Sequence, residues 1–399
     1  MVLNVVDFAP TKSETTTATP SSPSTTIPPL ATSTLPQTTI TATSAAAEKI
    51  TTTGIRQSGW SNTRSMNNAR VQHRSSLLTN GKVLITGGYD NSGDSSGTEL
   101  YDPLTETWTT VANMNIPRCS HTASVLTNGK LLVTGGEYGG QDPSDSTELY
   151  DPLAQNWTTT GKMNYVRNGH SASVLPNGNV LVTGGYGDGD IFKTAELYNP
   201  LTQIWTSTGS MNQARAYHTA SVLANGNVLV NGGEEEIYTA LDIAELYNPL
   251  TEIWTTTSNL NNGRYKHSAC LLTDGKVLVT GGYASSGALN SSELYDPSTG
   301  TWTTTGSMNN ARAEHTSTLL ADGKVLVTGG NDMRGFLNST ELYDPSTGTW
   351  IMAGVMNKTR VWHAASLLAN GKVLVTGGED FSYIITNTAE LYQSPFQTN

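Results

Sequence analysis

The chain is 399 residues long, with a formal net charge of −11 and a pI near 5.1. An acidic balance of that size argues against a nucleic-acid or anionic-membrane partner, either of which would need a basic face. No apolar run reaches the length of a membrane span, and the two cysteines, Cys119 and Cys270, define no redox compartment.

Residues 1–54 are the first element. Their opening, MVLNVVDFAPTK, lacks the basic stretch, long apolar core and small-residue cleavage site of a signal peptide. Of the 43 residues from Thr11 to Thr53, 27 are Thr, Ser or Pro. Such a composition cannot bury enough apolar surface to offset its ordering entropy, which predicts a disordered linker. It reads either as a mucin-like, O-glycosylated stalk or as a plain tether. Sequons at Asn156, Asn290, Asn338 and Asn357 tilt the reading towards an extracellular location.

From Trp60 to Tyr392 one unit of 48 or 49 residues recurs seven times. The second copy reads Arg118, two residues, His121, the run TASVLTNGKLLVTGG, a loop, TELYDP and Trp157. Paired glycines stand at Gly87-Gly88, Gly135-Gly136, Gly184-Gly185, Gly232-Gly233, Gly281-Gly282, Gly329-Gly330 and Gly377-Gly378. Each unit resolves into four strands. The first, HTASVLTN, alternates small and larger residues, as the crowded innermost strand of a propeller blade requires. The second, KLLVTGG, is continuously apolar and fits a strand covered on both faces. The third carries Glu-Leu-Tyr. The fourth carries Trp60, Trp108, Trp157, Trp205, Trp254, Trp302 or Trp350, aromatics whose regular spacing implies packing between blades.

The two ends of this region do not match. Trp60 is a fourth strand with no first three before it, and Glu390-Leu391-Tyr392 is a third strand with no fourth after it. Joined, they complete a seventh blade and leave no open edge. The expected fold is all-β: a seven-bladed propeller over residues 55–399, closed by an N-terminal strand and preceded by the linker over residues 1–54.

These motifs resemble the kelch-repeat propellers over the whole chain beyond the linker. Within that superfamily the units look most like the propeller domain of the galactose oxidases, whose blades share the Ala-Arg-x-x-His pattern seen at Ala214-Arg215 and His218. They are also similar to the kelch domains of ubiquitin-ligase adaptors. In those adaptors, arginines at this motif position and tyrosines after the double glycine meet acidic peptides.

Strand polarity puts the strand-four-to-one and strand-two-to-three connections on one face, and the tight Asn-Gly, Asp-Gly and Asp-Pro turns on the other. The first face carries the variation in length, and function concentrates on variable loops held by a rigid scaffold. It also receives Arg70, Arg118, Arg167, Arg215, Arg264, Arg312 and Arg360, with Tyr89, Glu137, Tyr186, Glu234, Tyr283, Asn331 and Glu379 beside them, each directly after a Gly-Gly. Together these are the candidate ligand-binding residues, with arginine forks for carboxylates and tyrosine platforms for stacking or sugar contact. The alternative is that each arginine pairs with the glutamate of a Glu-Leu-Tyr: Glu99, Glu148, Glu196, Glu245, Glu293, Glu341 or Glu390. The loops also offer Tyr138, Phe192, Tyr238, Phe336, Phe381 and Tyr383 as recognition anchors, and Asp188 with Asp190 as a weak calcium signal.

All seven histidines, His73, His121, His170, His218, His267, His315 and His363, share one repeat position. A residue present in every copy serves what every copy needs, here a bond to backbone at the start of the inner strand, rather than a metal. The galactose-oxidase resemblance implies copper held by two tyrosines and two histidines, with one tyrosine cross-linked to a cysteine. Around Cys119 the residues preceding histidine in the neighbouring blades are Gln72 and Gly169, and Tyr217 lies two blades away. The reading is therefore a monomeric, non-catalytic module without cofactor or metal that binds a protein or peptide on the loop-rich face. A carbohydrate-directed propeller is the alternative, either lectin-like or an enzyme of galactose-oxidase or sialic-acid-active type.

Overall fold

The computed structural model describes residues 59–138, 142–236 and 238–396, so the expected linker over residues 1–54 lies outside the described residues. The most apolar strand of each copy sets the architecture. Val83–Thr86 is buried along its whole length, with Val83 and Ile85 packed towards the seventh blade and Leu84 towards the second. Burying one such side chain is worth about 1.5–3 kcal/mol, and the alternation repeats in every copy. The core therefore lies between blades, in slices, rather than at one centre.

Among the described residues the strands form seven four-stranded antiparallel sheets. In blade one the order from the axis outwards is Arg74–Leu77, Val83–Thr86, Thr98–Asp102 and Thr107–Thr110. The inner strands neighbour one another in cyclic order, so that Ala364–Leu367 of blade seven meets Arg74–Leu77 of blade one. Blade seven takes Ala364–Leu367, Val373–Thr376 and Ala389–Gln393 from the C-terminal end, and Gly59–Asn62 from the other end of the repeat region, with Trp60 opposite Tyr392. The expected closure is present. No helix of the described residues is long and apolar enough to cross a membrane.

Two devices fasten blade to blade. On the outer side, each Tyr of Glu-Leu-Tyr packs against the Trp opposite it, with ring centroids 5.0 Å apart for Tyr247 and Trp254. The Trp254 Nε1–H then donates to the Gly209 carbonyl oxygen of the preceding blade at 2.7 Å. On the inner side, the double glycine does what no other residue could. Gly135 and Gly136 have φ of +58° and +95°, and a Cβ on Gly136 would lie 2.4 Å from the Cys119 carbonyl oxygen. A Cβ on Gly135 would lie 2.5 Å from the Arg167 carbonyl oxygen of blade three, and the approach this glycine permits lets the Gly136 N–H donate to that oxygen at 2.8 Å; the series of equivalent bonds closes with Gly378 donating to Arg70 at 2.9 Å. Cys119 and Cys270, in blades two and five, are both free thiols.

Candidate binding face and central channel

The strand-four-to-one and strand-two-to-three connections share one face because they pair with each other. Val71 and Tyr89 exchange two backbone hydrogen bonds of 2.9 Å, and equivalent bridges join Asn168 to Tyr186 and Tyr265 to Tyr283. The connections expected as irregular loops contain short antiparallel ribbons, such as Tyr89–Asp90 with Gly93–Asp94 and Tyr186–Gly187 with Asp190–Ile191. Asp188 and Asp190 sit at the tip of such a ribbon. No group of three or more His, Cys, Asp or Glu placed to hold a metal occurs among the described residues.

The seven arginines do not reach the surface. Arg70, Arg118, Arg167, Arg215, Arg264, Arg312 and Arg360 are each 0% exposed, and each pairs with the glutamate of its own blade at 2.7–3.0 Å. Arg215 shows the logic: Nη1 donates to the carbonyl oxygens of Gly232 and Ile243, at 2.7 and 2.8 Å, and Nη2 to Glu245 Oε1 at 2.8 Å. Glu245 in turn accepts the backbone N–H groups of Asn212 and Gln213. One guanidinium therefore ties both face connections of a blade to its third strand. This corrects the expectation of arginine forks open to a ligand: carboxylate and carbonyl acceptors within each blade engage both terminal nitrogens of each.

The residues after each Gly-Gly remain accessible. Tyr89 and Tyr186 are 39% and 38% exposed, while Glu137, Glu234, Tyr283, Asn331 and Glu379 are half-buried. Partial burial raises the pKa of Glu137, Glu234 and Glu379 and of the Tyr283 phenol. Glu137 accepts Asn168 Nδ2 at 2.8 Å, and Glu234 accepts the Tyr238 backbone N–H.

Between each arginine and its histidine, the chain places a residue that differs in every blade: Gln72, Ser120, Gly169, Tyr217, Lys266, Glu314 and Trp362. All seven have left-handed φ, between +50° and +58°. For the six with a Cβ this costs of order 1–3 kcal/mol each, a strain that persists only where the surroundings over-determine it. The cause is visible in the backbone. Gln72 N–H donates to Trp362, Ser120 to Gln72, Tyr217 to Gly169, Lys266 to Tyr217 and Glu314 to Lys266, which links successive blades around the axis. The side chains of this ring line the mouth of a central cavity of about 310 Å³. Along the rim Lys266 Nζ meets Glu314 Oε1 of the next blade at 2.6 Å and lies 5.2 Å from the centre of the Tyr217 ring of the preceding blade. In the sequence, Gln72, Gly169 and Tyr217 enter only the copper comparison; the signal of the whole ring is one repeat column with seven different residues.

A second, wider hollow of about 760 Å³ opens from the mouth over blades four to seven. Tyr217, Tyr238, Tyr265, Tyr283, Met333 and Trp362 line it, together with Glu234 and the Lys266–Glu314 pair. Burial and the nearby Glu234 push the Tyr265 phenol up to about 12, so it stays a neutral donor. Of the six loop aromatics expected as anchors, Tyr138, Tyr238, Phe381 and Tyr383 are more than half exposed. Phe192 and Phe336 instead fold back, onto Tyr165 and onto Trp362 with Tyr383.

The histidines lie just below the ring. Each Nε2 bonds the side chain of a Thr, Ser or Asn in the preceding blade, as in His267 with Asn231 at 3.0 Å and Thr219 at 2.9 Å. The Nε2 partner is thus a side chain, while the backbone bond that the repeat position suggested acts on His170, His218, His267 and His363, each from the arginine three residues earlier. Burial holds all seven well below the usual histidine range, with His170, His267 and His363 down to about 3, so they are neutral. Copper of the galactose-oxidase kind does not fit these residues. Every Nε2 is engaged, Cys119 Sγ lies 3.9 Å from the Glu137 carboxylate, and Tyr217 stands two blades from that cysteine.

Comparison with known proteins agrees with this architecture. No curated protein matches the chain. Among solved structures, a novel fungal alcohol oxidase with catalytic diversity among the AA5 family, in complex with copper, superimposes with a TM-score of 0.70 at 17% identity, covering 86% of this chain and 78% of its own. That likeness is one of fold. The KLHDC2/KLHL20/DRC7 Kelch-repeats domain matches residues 43–233 and 218–393. The chain belongs to the kelch-repeat family.

Proposed function

We propose that this kelch propeller is a non-catalytic binding module that receives a protein or peptide segment in the aromatic hollow over blades four to seven. Family membership supports a protein-interaction module in general terms. The observation that carries the finer reading is the hollow itself: four tyrosines, a tryptophan and a methionine grouped around one ion pair on a rigid ring. Large aromatic anchors with a few polar groups are the composition of interaction hot spots. The seven histidines, which every blade repeats, are buried and serve inter-blade bonding.

Selection of peptides from a display library on the full chain, followed by titration of the winners against variants, tests this reading. Tyr238→Ala should weaken binding about tenfold or more, since an exposed anchor lost from a partly desolvated pocket costs roughly 1–3 kcal/mol. Asn128→Ala, in a tight turn of the opposite face, should leave binding unchanged. Peptides that bind equally well to both variants would place the interface elsewhere. The carbohydrate-directed alternative draws on the same stacking platforms, and saturable binding on a glycan array, abolished by Tyr238→Ala, would favour it.

A further inference from the structure

The first residue of the inner strand is Thr122, Ser171, Thr219, Ser268, Thr316 or Ala364 in six blades, and Arg74 in blade one. A long cation has replaced a small side chain at the wall of the central channel. Arg74 Nε donates to the His121 carbonyl oxygen of blade two at 2.5 Å, which fixes the guanidinium against the cavity wall. Its Nη1 and Nη2 make no hydrogen bond or ion pair among the described residues. This is the opposite of the seven arginines described above, whose terminal nitrogens are engaged.

The surroundings sharpen the contrast. Water reaches Arg74 through the channel, yet the blades packed around it desolvate the guanidinium and lower its pKa. The two carboxylates that line the cavity are turned to other partners: Glu314 to Lys266 at 2.6 Å, and Glu137 to Asn168 Nδ2 at 2.8 Å. The imidazoles of His121 and His170 nearby are held neutral by burial, with Arg74 contributing in both cases. An exposed guanidinium whose terminal nitrogens have no protein partner can take an anion as its counter-charge. The cavity, at about 310 Å³, is at the small end of the range for small-molecule sites.

We propose that Arg74 anchors an oxyanion site inside the central channel, its free Nη pair forking onto the carboxylate or phosphate group of a small molecule. The planar fork matches either group with two parallel, charge-assisted hydrogen bonds. Arg74 lines the channel but not the adjoining aromatic hollow, so the site stands or falls independently of peptide binding there.

The test uses the full chain, Arg74→Thr and Arg74→Lys, with inorganic phosphate and succinate as probes at constant ionic strength. Thr occupies this position in blades two, four and six, so Arg74→Thr should fold. Isothermal titration and thermal unfolding should show saturable binding of at least one probe to the parent chain and a matching rise in Tm. That binding should be weaker by about tenfold or more in Arg74→Thr. Arg74→Lys, which keeps the charge but loses the fork, should fall between. Success with phosphate alone, or with succinate alone, assigns the group. The proposal is overturned if neither probe binds the parent saturably, or if Arg74→Thr binds as tightly as the parent.

Discussion

Arg360 and Trp362 are two residues apart in one loop of blade seven and live under opposite constraints. Arg360 is 0% exposed, with Nη1 on the Gly377 and Thr388 carbonyl oxygens and Nη2 on Glu390, and the same residue does the same work in all seven blades. Trp362 is half-buried at the channel mouth, has a φ of +55°, and shares its column with Gln, Ser, Gly, Tyr, Lys and Glu. The difference teaches where to look on a repeat protein. A side chain that recurs in every copy serves the framework, within its blade or between blades. A backbone conformation that recurs while its side chain changes holds a ring of varied chemistry in place.

The largest expected effect comes from breaking the framework at its seam. Removing Gly59–Asn62 would take the outer strand from blade seven and with it the Trp60–Tyr392 packing, at a ring separation of 5.3 Å. A chain truncated through residue 65 should unfold at a much lower temperature than one truncated through residue 58, whereas equal melting would break the closure account. Acid should act next. The folded pKa of His170, His267 and His363 lies near 3, below the unfolded value, so the unfolded chain binds more protons as pH falls. Their contribution is complete above about pH 6.5 and is lost towards pH 3, by about 1.4 kcal/mol per pH unit for each histidine. Urea midpoints should drop steeply between pH 6 and 4.5, above the carboxylate range; a flat profile there would contradict neutral, buried imidazoles.

Smaller effects sharpen the contrast at single residues. Gly136→Ala should destabilise by roughly 1–3 kcal/mol, because φ is +95° and the new Cβ would meet the Cys119 carbonyl oxygen. Tyr238→Ala, at a side chain 74% exposed, should change stability by no more than about 0.5 kcal/mol while it weakens a bound peptide. A large loss of stability at Tyr238 would move that residue from the binding face to the framework.

The fold was legible because its causes recur. A continuous apolar run, a double glycine and a Tyr–Trp pair each return seven times, and the unmatched ends at Trp60 and Tyr392 announce the shared blade. The site was less legible for the same reason. Recurrence drew attention to Arg215 and its counterparts, and sequence alone could not tell a surface fork from an engaged one; the outcome depends on where Glu245 and two carbonyl oxygens lie in three dimensions. The ring from Gln72 to Trp362 has no shared side chain to notice, and its common feature is a backbone angle. Arg74 was visible in principle, as one cation in a column otherwise of Thr, Ser and Ala, but only the channel shows that its terminal nitrogens face open space.

The most direct test sets the two columns side by side in blade seven, by urea unfolding of Arg360→Ala and Trp362→Gly. Arg360→Ala strands Glu390 in a buried position and should cost about 3–5 kcal/mol. Trp362→Gly gives up part of an aromatic contact but relieves a left-handed residue, and should stay within about 1 kcal/mol of the parent. That ordering is what a structural arginine and a displayed ring residue require. Equal losses, or a greater loss at Trp362 than at Arg360, would contradict the division of the loop into framework and site.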